Sequence, residues 1–370
     1  MSVRTRALAL STIAALTAGA LSVPAAGAES YPSAGAVPVA QLDINQVDGG
    51  LAYVYATPVL QSHIDTVTRQ LRELRARAWD ANLPLNGASL RDVAPDRTAY
   101  INGMSWSRGL EHVALQRAAE ENFDFDHQRA GGAEAWTAKP GAFSAENLTS
   151  ATMSEAIASW STDGGSNSEW NKLIRSNGYF TDGTGHLHNM LNPDNRYFAQ
   201  AQVGNTTAGH YSAERVSGAP ERLEGWHAFP IAVPESAFSR ADIRFTGGTH
   251  VGDSGSIGLS ISGWGGARLA VPGASVSSSN PEVLAVHPDG TYEALQEGTA
   301  ELHITPFLMR NGKTRPSGEA ISQTVKVSKK PAIGGAAGGS SAGAAIGIIA
   351  VIVAVLGIGT QVLRYMGLWQ

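Results

Sequence analysis

The apolar residues of this chain keep two different periods, and the change from one to the other limits what it can fold into. Leu60, Ile64, Val67, Leu71, Leu74 and Ala78 recur at spacings of four and three, which makes one helix face, with Arg69, Arg72, Glu73, Arg75 and Arg77 on the other side. A second helical stretch through Leu110, Val113, Ala114, Arg117, Ala118 and Glu121 is rich in good helix formers and ends near Asn122; a third spans Met153 to Trp160. From about Phe238 the period becomes two, as in Ile257, Leu259 and Ile261, then Leu269 and Val271, then Leu302 and Ile304. Gly, Pro and Asp-Gly turns separate these short segments. An α-rich region is therefore expected to precede an all-β one.

Both ends of the chain have a different texture. Arg4 and Arg6, an apolar run from Ala7 to Val23 and the small residues Ala26-Gly27-Ala28 have the order of a secretory signal, so residues 1–28 are expected to be removed on export. Residues 29–57, rich in Pro, Ala and Gly, read as a flexible leader. A Gly/Ser linker, 329–341, comes before the apolar stretch 342–363, and about 20 residues at 1.5 Å each cross a hydrocarbon core of about 30 Å. These features predict a single-pass protein of the cell membrane. The C-terminal helix would be its membrane contact, the bulk of the chain would lie outside, and residues 364–370 would form a short cytoplasmic tail. Lys326, Lys329 and Lys330 before the span run against the positive-inside rule, so the signal segment sets the orientation.

Composition narrows the function. The sequence has no cysteine, so in an oxidising compartment its stability has to come from packed cores. A net charge of -5 and the lack of a basic run argue against nucleic acid as the main partner.

Four residues of the α-rich region carry chemistry: His127 in Phe125-Asp126-His127, Glu146 in Ala145-Glu146-Asn147, Glu169 before Trp170, and His186 after Gly185. Two imidazoles and two carboxylates suit a zinc-like divalent ion or a general acid and base. Each also has a plain reading, since a loop His is usually a surface residue and a Glu before Asn often caps a turn. A cysteine nucleophile is absent, and so is a His-Glu-x-x-His helix.

The order of these motifs resembles the CAP superfamily, the cysteine-rich secretory, antigen 5 and pathogenesis-related 1 proteins. The matching string runs from Asn82-Leu83-Pro84-Leu85 through Trp106, the Ala-rich helix and His127. It continues with Ala145-Glu146-Asn147, the helix Glu155 to Trp160, and Gly185-His186-Leu187-His188-Asn189-Met190-Leu191-Asn192-Pro193. The resemblance implies a three-layer α-β-α sandwich with an open cleft lined by His127, Glu146, Glu169 and His186, in which His127 and His186 hold a divalent metal, zinc first. Glu169 follows Trp160 at a longer spacing than usual, across a Gly164-Gly165-Ser166-Asn167 insertion, and Glu155 is the other candidate for its place. Asn147 and His188 are candidates to stand behind these four; His188 would reach the cleft if the segment is extended, since alternate residues then share a face, and is otherwise a surface His.

Residues 276–304, with a Ser-Asn-Pro turn, Asp289-Gly290 and Gly298-Thr299-Ala300, resemble the bacterial Ig-like repeat of group 2, a spacer or adhesion unit. The expected architecture is α+β: a CAP domain at 58–205, a connector at 206–240 containing Trp226 to Pro230, an Ig-like sandwich at 241–328, then the membrane helix. Two functions follow from it. One is a cell-surface module binding a lipid, peptide or glycan of the envelope or a host. The other is a metal-dependent hydrolase, in which the ion acidifies a bound water and Glu146 or Glu169 takes its proton. A structural envelope protein with an idle tetrad is the remaining possibility.

Overall fold

The computed structural model describes residues 51–331, apart from 57–58, 130–131, 140, 162–167, 217–228 and 311–312. The expected signal segment, most of the leader, the apolar stretch 342–363 and the tail lie outside the described residues, as does the part of the connector from 217 to 228, Trp226 included.

The helices are α1 (Gln61–Asp80), α2 (Leu90–Val93), α3 (Arg97–Asn102), α4 (Arg108–Glu120), α5 (Met153–Ser161), α6 (Glu169–Arg175) and α7 (Gly185–Leu191). The face of α1 predicted from spacing is the face it buries: Ile64, Val67, Leu71, Leu74 and Ala78 are all inside, while Leu60, at the N-cap, is exposed. Ser107 caps α4, its hydroxyl oxygen accepting from the Leu110 N–H. Along α4 nearly every side chain is buried, charged ones included, so this helix lies inside the protein.

Helices cover a four-stranded sheet ordered Ser105–Trp106, Tyr197–Val203, Thr206–Ser212, Ala145–Thr149. The first pair is parallel and the other two are antiparallel. Helix α4 packs on the two central strands, and α5 and α7 pack against Ala145–Thr149, which forms one edge of the sheet.

The C-terminal half is β-rich. One sheet has the order Gly273–Ser278, Gly298–Arg310, Leu51–Ala56, Phe229–Pro234; Lys313–Pro316 and Ile321–Val327 also pair with Gly298–Arg310. A second runs Arg268–Val271, Ser254–Ser262, Thr291–Ala294, Leu284–Val286, with Ala241–Gly247 on Ser254–Ser262. The 13-residue strand Gly298–Arg310 holds the first sheet together. Its first half takes Ile321–Val327, and its second half takes Leu51–Ala56 and Lys313–Pro316.

This architecture corrects the expected one. Instead of a three-layer domain followed by a separate Ig-like sandwich, residues 51–330 form one mixed α/β unit. The residues expected to be leader supply strand Leu51–Ala56, which pairs along its whole length with Phe229–Pro234 and at Leu51 and Ala52 with Met309 and Leu308. The apolar core is continuous, joining Leu115 and Phe198 of the α-rich part to Ile257 and Leu302 of the β-rich part. The strand escaped the sequence reading because Tyr53, Val54, Tyr55 and Ala56 are all buried; a strand covered on both faces shows an apolar run with no alternation. Among the described residues, no helix is long and apolar enough to cross a membrane.

A fragment of residues 241–331 lacks Leu51–Ala56 and Phe229–Pro234. It is therefore expected to unfold gradually in urea, where residues 51–331 unfold in one cooperative transition. Far-UV circular dichroism along the titration checks this, and a sharp transition in the fragment would show a self-standing module.

Candidate functional site

Helix α4 and its C-cap carry Arg117, Glu120 and Glu121 into the protein. Arg117 is fully buried, and its Nη1 donates to Glu120 Oε2 at 2.7 Å. Its Nη2 meets Glu121, and its Nε donates to Glu146 Oε2 at 2.9 Å. The same guanidinium reaches the carbonyls of Asp126 and Gln128, at 2.8 and 3.1 Å, and so fixes the loop that carries His127. Arg129 closes the network on Glu120 at 3.1 Å.

Glu146 sits on the edge strand with its side chain toward α4. Besides Arg117 it meets His127 Nδ1 at 2.8 Å and His210 Nε2 at 2.9 Å, the latter from the neighbouring strand. Burial pushes the Glu146 carboxyl up, but the hydrogen bonds from His127 and His210 and the charges of His210 and Arg117 outweigh it and hold the group well below the usual carboxylate range. Glu121 goes the other way: burial, against the opposing pull of Arg117, pushes it up to about 9.

Asn147, next along the strand, points to the opposite face because side chains alternate. Buried there, its Nδ2 donates to the His186 carbonyl at 3.1 Å and to the Tyr211 hydroxyl at 3.3 Å, while Asn189 Nδ2 donates to its Oδ1 at 2.8 Å. His186 Nδ1 meets Glu169 Oε1 at 2.7 Å, and Glu169 Oε2 accepts the Leu187 N–H at 2.8 Å. Glu169 is placed by the first turn of α6, capped by Ser168. The Trp160 ring lies 6.0 Å from the His186 ring.

The four sequence candidates thus form two His–Glu pairs, His127 with Glu146 and His186 with Glu169, joined through the edge strand by Asn147, which holds the His186 carbonyl. Among the described residues, no group of three or more His, Asp or Glu is arranged to hold a metal ion. Each imidazole is instead oriented through Nδ1 by a carboxylate, which leaves its Nε2 as the atom for a ligand, the usual arrangement around a metal-binding histidine. Each pair taken singly offers one imidazole Nε2 with a carboxylate behind it. The His127 side chain is 61% exposed and that of His186 34%.

Glu155 takes no part: exposed in the first turn of α5, it accepts from the Thr152 hydroxyl at 2.7 Å. His188 lies away from both pairs, with Nε2 on Asn86 Oδ1 at 2.9 Å and its ring edge-on to Phe180. The segment is helical rather than extended, so His186 and His188 are about 200° apart around the axis instead of sharing a face. Arg117, Glu120, Glu121 and His210 were not singled out by sequence. The first three show a trace in hindsight, an Arg with acids three and four positions on; His210, inside an all-buried strand, leaves none. A groove of about 380 Å³ lined by Asp242, Arg244, Arg268 and Ser322 lies in the β-rich half, apart from both pairs.

Compared with known proteins, the chain matches no family model and no curated protein. The geometry of these side chains is what a functional reading has to rest on.

Two stability measurements test the network. Glu146→Ala leaves Arg117 buried and short of a partner, and should cost about 3–5 kcal/mol in urea unfolding. For Glu121, the folded chain keeps a proton that the unfolded chain releases near pH 4.3. Its contribution is therefore full below that pH and is lost as pH rises toward 9. Glu121→Gln should flatten the alkaline decline in melting temperature between pH 5 and 9; parallel profiles would rule out a protonated Glu121.

Proposed function

We infer that this chain is an exported binding protein whose two His–Glu pairs present imidazole Nε2 atoms to a divalent cation, zinc first, and through it to a ligand of the envelope or a host. The observation that supports this most is the shared Nδ1–carboxylate geometry of His127 and His186. A carboxylate on Nδ1 fixes the ring orientation and makes Nε2 more basic. The N-terminal segment with the order of a secretory signal supports action outside the cell, as does the resemblance of residues 60–203 to the CAP superfamily. A bound ion would supply Lewis-acid polarisation of a ligand oxygen.

Binding is favoured over metal-dependent hydrolysis by the state of Glu146. A general base works best with a pKa near the operating pH, whereas this carboxylate is held ionised and its oxygens accept from Arg117, His127 and His210. Both oxygens of Glu169 are likewise taken, by His186 and by the Leu187 N–H.

Calorimetric titration of the full-length chain with zinc should show about one ion bound, and the His127→Ala, His186→Ala double variant should lose it. Glu169→Gln should weaken binding about 10–100-fold, the effect of removing the partner that orients a ligand. Equal binding by the wild-type and double-variant chains would remove the histidines from the site, and no binding by either would leave the pairs a purely structural role.

A further inference from the structure

The large aromatic side chains exposed among the described residues are Phe125, Trp136, Tyr179, Phe180 and Trp264. Two of them stand together. Phe125, two residues before His127, and Trp264, from a turn in the β-rich half, lie nearly parallel, with ring centroids 6.1 Å apart and planes 28° apart. That spacing suits an offset pair, and each residue keeps about half its surface in water, 47% for Phe125 and 51% for Trp264.

The pair is rigidly presented. Asn122, buried just past the end of α4, donates from Nδ2 to the Ala118 carbonyl, the Val203 carbonyl and the Thr206 hydroxyl, each at 2.7 Å. Its own carbonyl accepts the Trp264 N–H at 2.6 Å. Asn205 Nδ2 holds the next carbonyl, that of Gly265, at 3.1 Å. The turn is built closely around Asn122: a Cβ on Gly263 would stand 2.9 Å from the Asn122 Cβ, and Gly265 has φ +63°. Apolar rings fixed in solvent without being needed for the core mark a recognition surface.

The charge around the pair selects the occupant. Asp124 and Asp126 flank Phe125 and are exposed, and the whole chain carries -5, so anionic headgroups and acidic polymers are repelled. The C–H face of a pyranose ring suits the negative face of an aromatic ring, while its hydroxyls can donate to carboxylates. We propose that Phe125 and Trp264 form a platform for an uncharged polysaccharide, with sugar rings on the aromatic faces and hydroxyls on Asp124 and Asp126, beside His127. This names the ligand class of the binding reading above and rests on it, yet it uses none of the metal-facing atoms.

The test titrates the full-length chain with uncharged hexamers, β-1,4-linked N-acetylglucosamine and β-1,4-linked glucose, following tryptophan fluorescence and heat. At least one should bind. Trp264→Ala should bind about tenfold more weakly or worse, within the range seen when alanine removes an aromatic stacking partner, with an unchanged circular dichroism spectrum, and Trp264→Tyr should restore binding. Binding of neither hexamer, or equal binding by Trp264→Ala, overturns the platform. So does capture of phosphatidylcholine vesicles with no hexamer binding, which would point to a choline headgroup over the rings. The His127→Ala, His186→Ala variant should lose zinc and keep the hexamer, so failure of the metal reading and failure of the platform are read separately.

Discussion

Arg117 has no exposed side-chain surface, so its guanidinium donors must all be met by protein. Glu146, Glu120 and Glu121 take them from three directions, and the carbonyls of Asp126 and Gln128 take the remainder. Removing a guanidinium from water costs several kcal/mol unless such a set is complete. The loop carrying His127 therefore cannot shift without leaving that charge short of partners. The position of the first imidazole and the docking of the edge strand on α4 follow from this one buried cation, which joins His127 and His210 in keeping Glu146 ionised.

The edge strand then explains how one short segment serves two sites. An edge strand has unpaired backbone on its outer side and side chains on both faces, so consecutive residues can be committed to different layers. Glu146 goes to the charged layer beneath α4, whereas Asn147 goes to α7 and holds the His186 carbonyl. Each histidine is matched to its own carboxylate. No ring of four ligands is required for both to be oriented.

Legibility in the sequence followed solvent exposure. Helix α1 was readable because one side is wet and the other dry, and the three long helices fall within a residue or two of their predicted extents. His127, Glu146, Glu169 and His186 were found by motif, not by period, and their pairing needed the fold. Strand Leu51–Ala56 was hidden because burial on both faces erases alternation, and its partners lie about 180 and 250 residues further along the chain. His210 was hidden for the same reason, and Arg117 because a buried helix looks amphipathic when its inward charges are paired with one another. His188 shows the opposite error: a helical segment treated as extended placed it on the same face as His186.

The place of Leu51–Ala56 between Phe229–Pro234 and Gly298–Arg310 also sets an order of events. During synthesis this is the first described strand to emerge, and both of its hydrogen-bonding partners are made much later. Until they arrive, Tyr53, Val54 and Tyr55 have no sheet to enter, and loop closure over such distances is slow. The α-rich part can collapse locally, but the sheet that joins the two halves closes only when nearly all of the described chain is present. The α-rich part and the β-rich part are therefore committed to one another late, by a strand that was the first to be made.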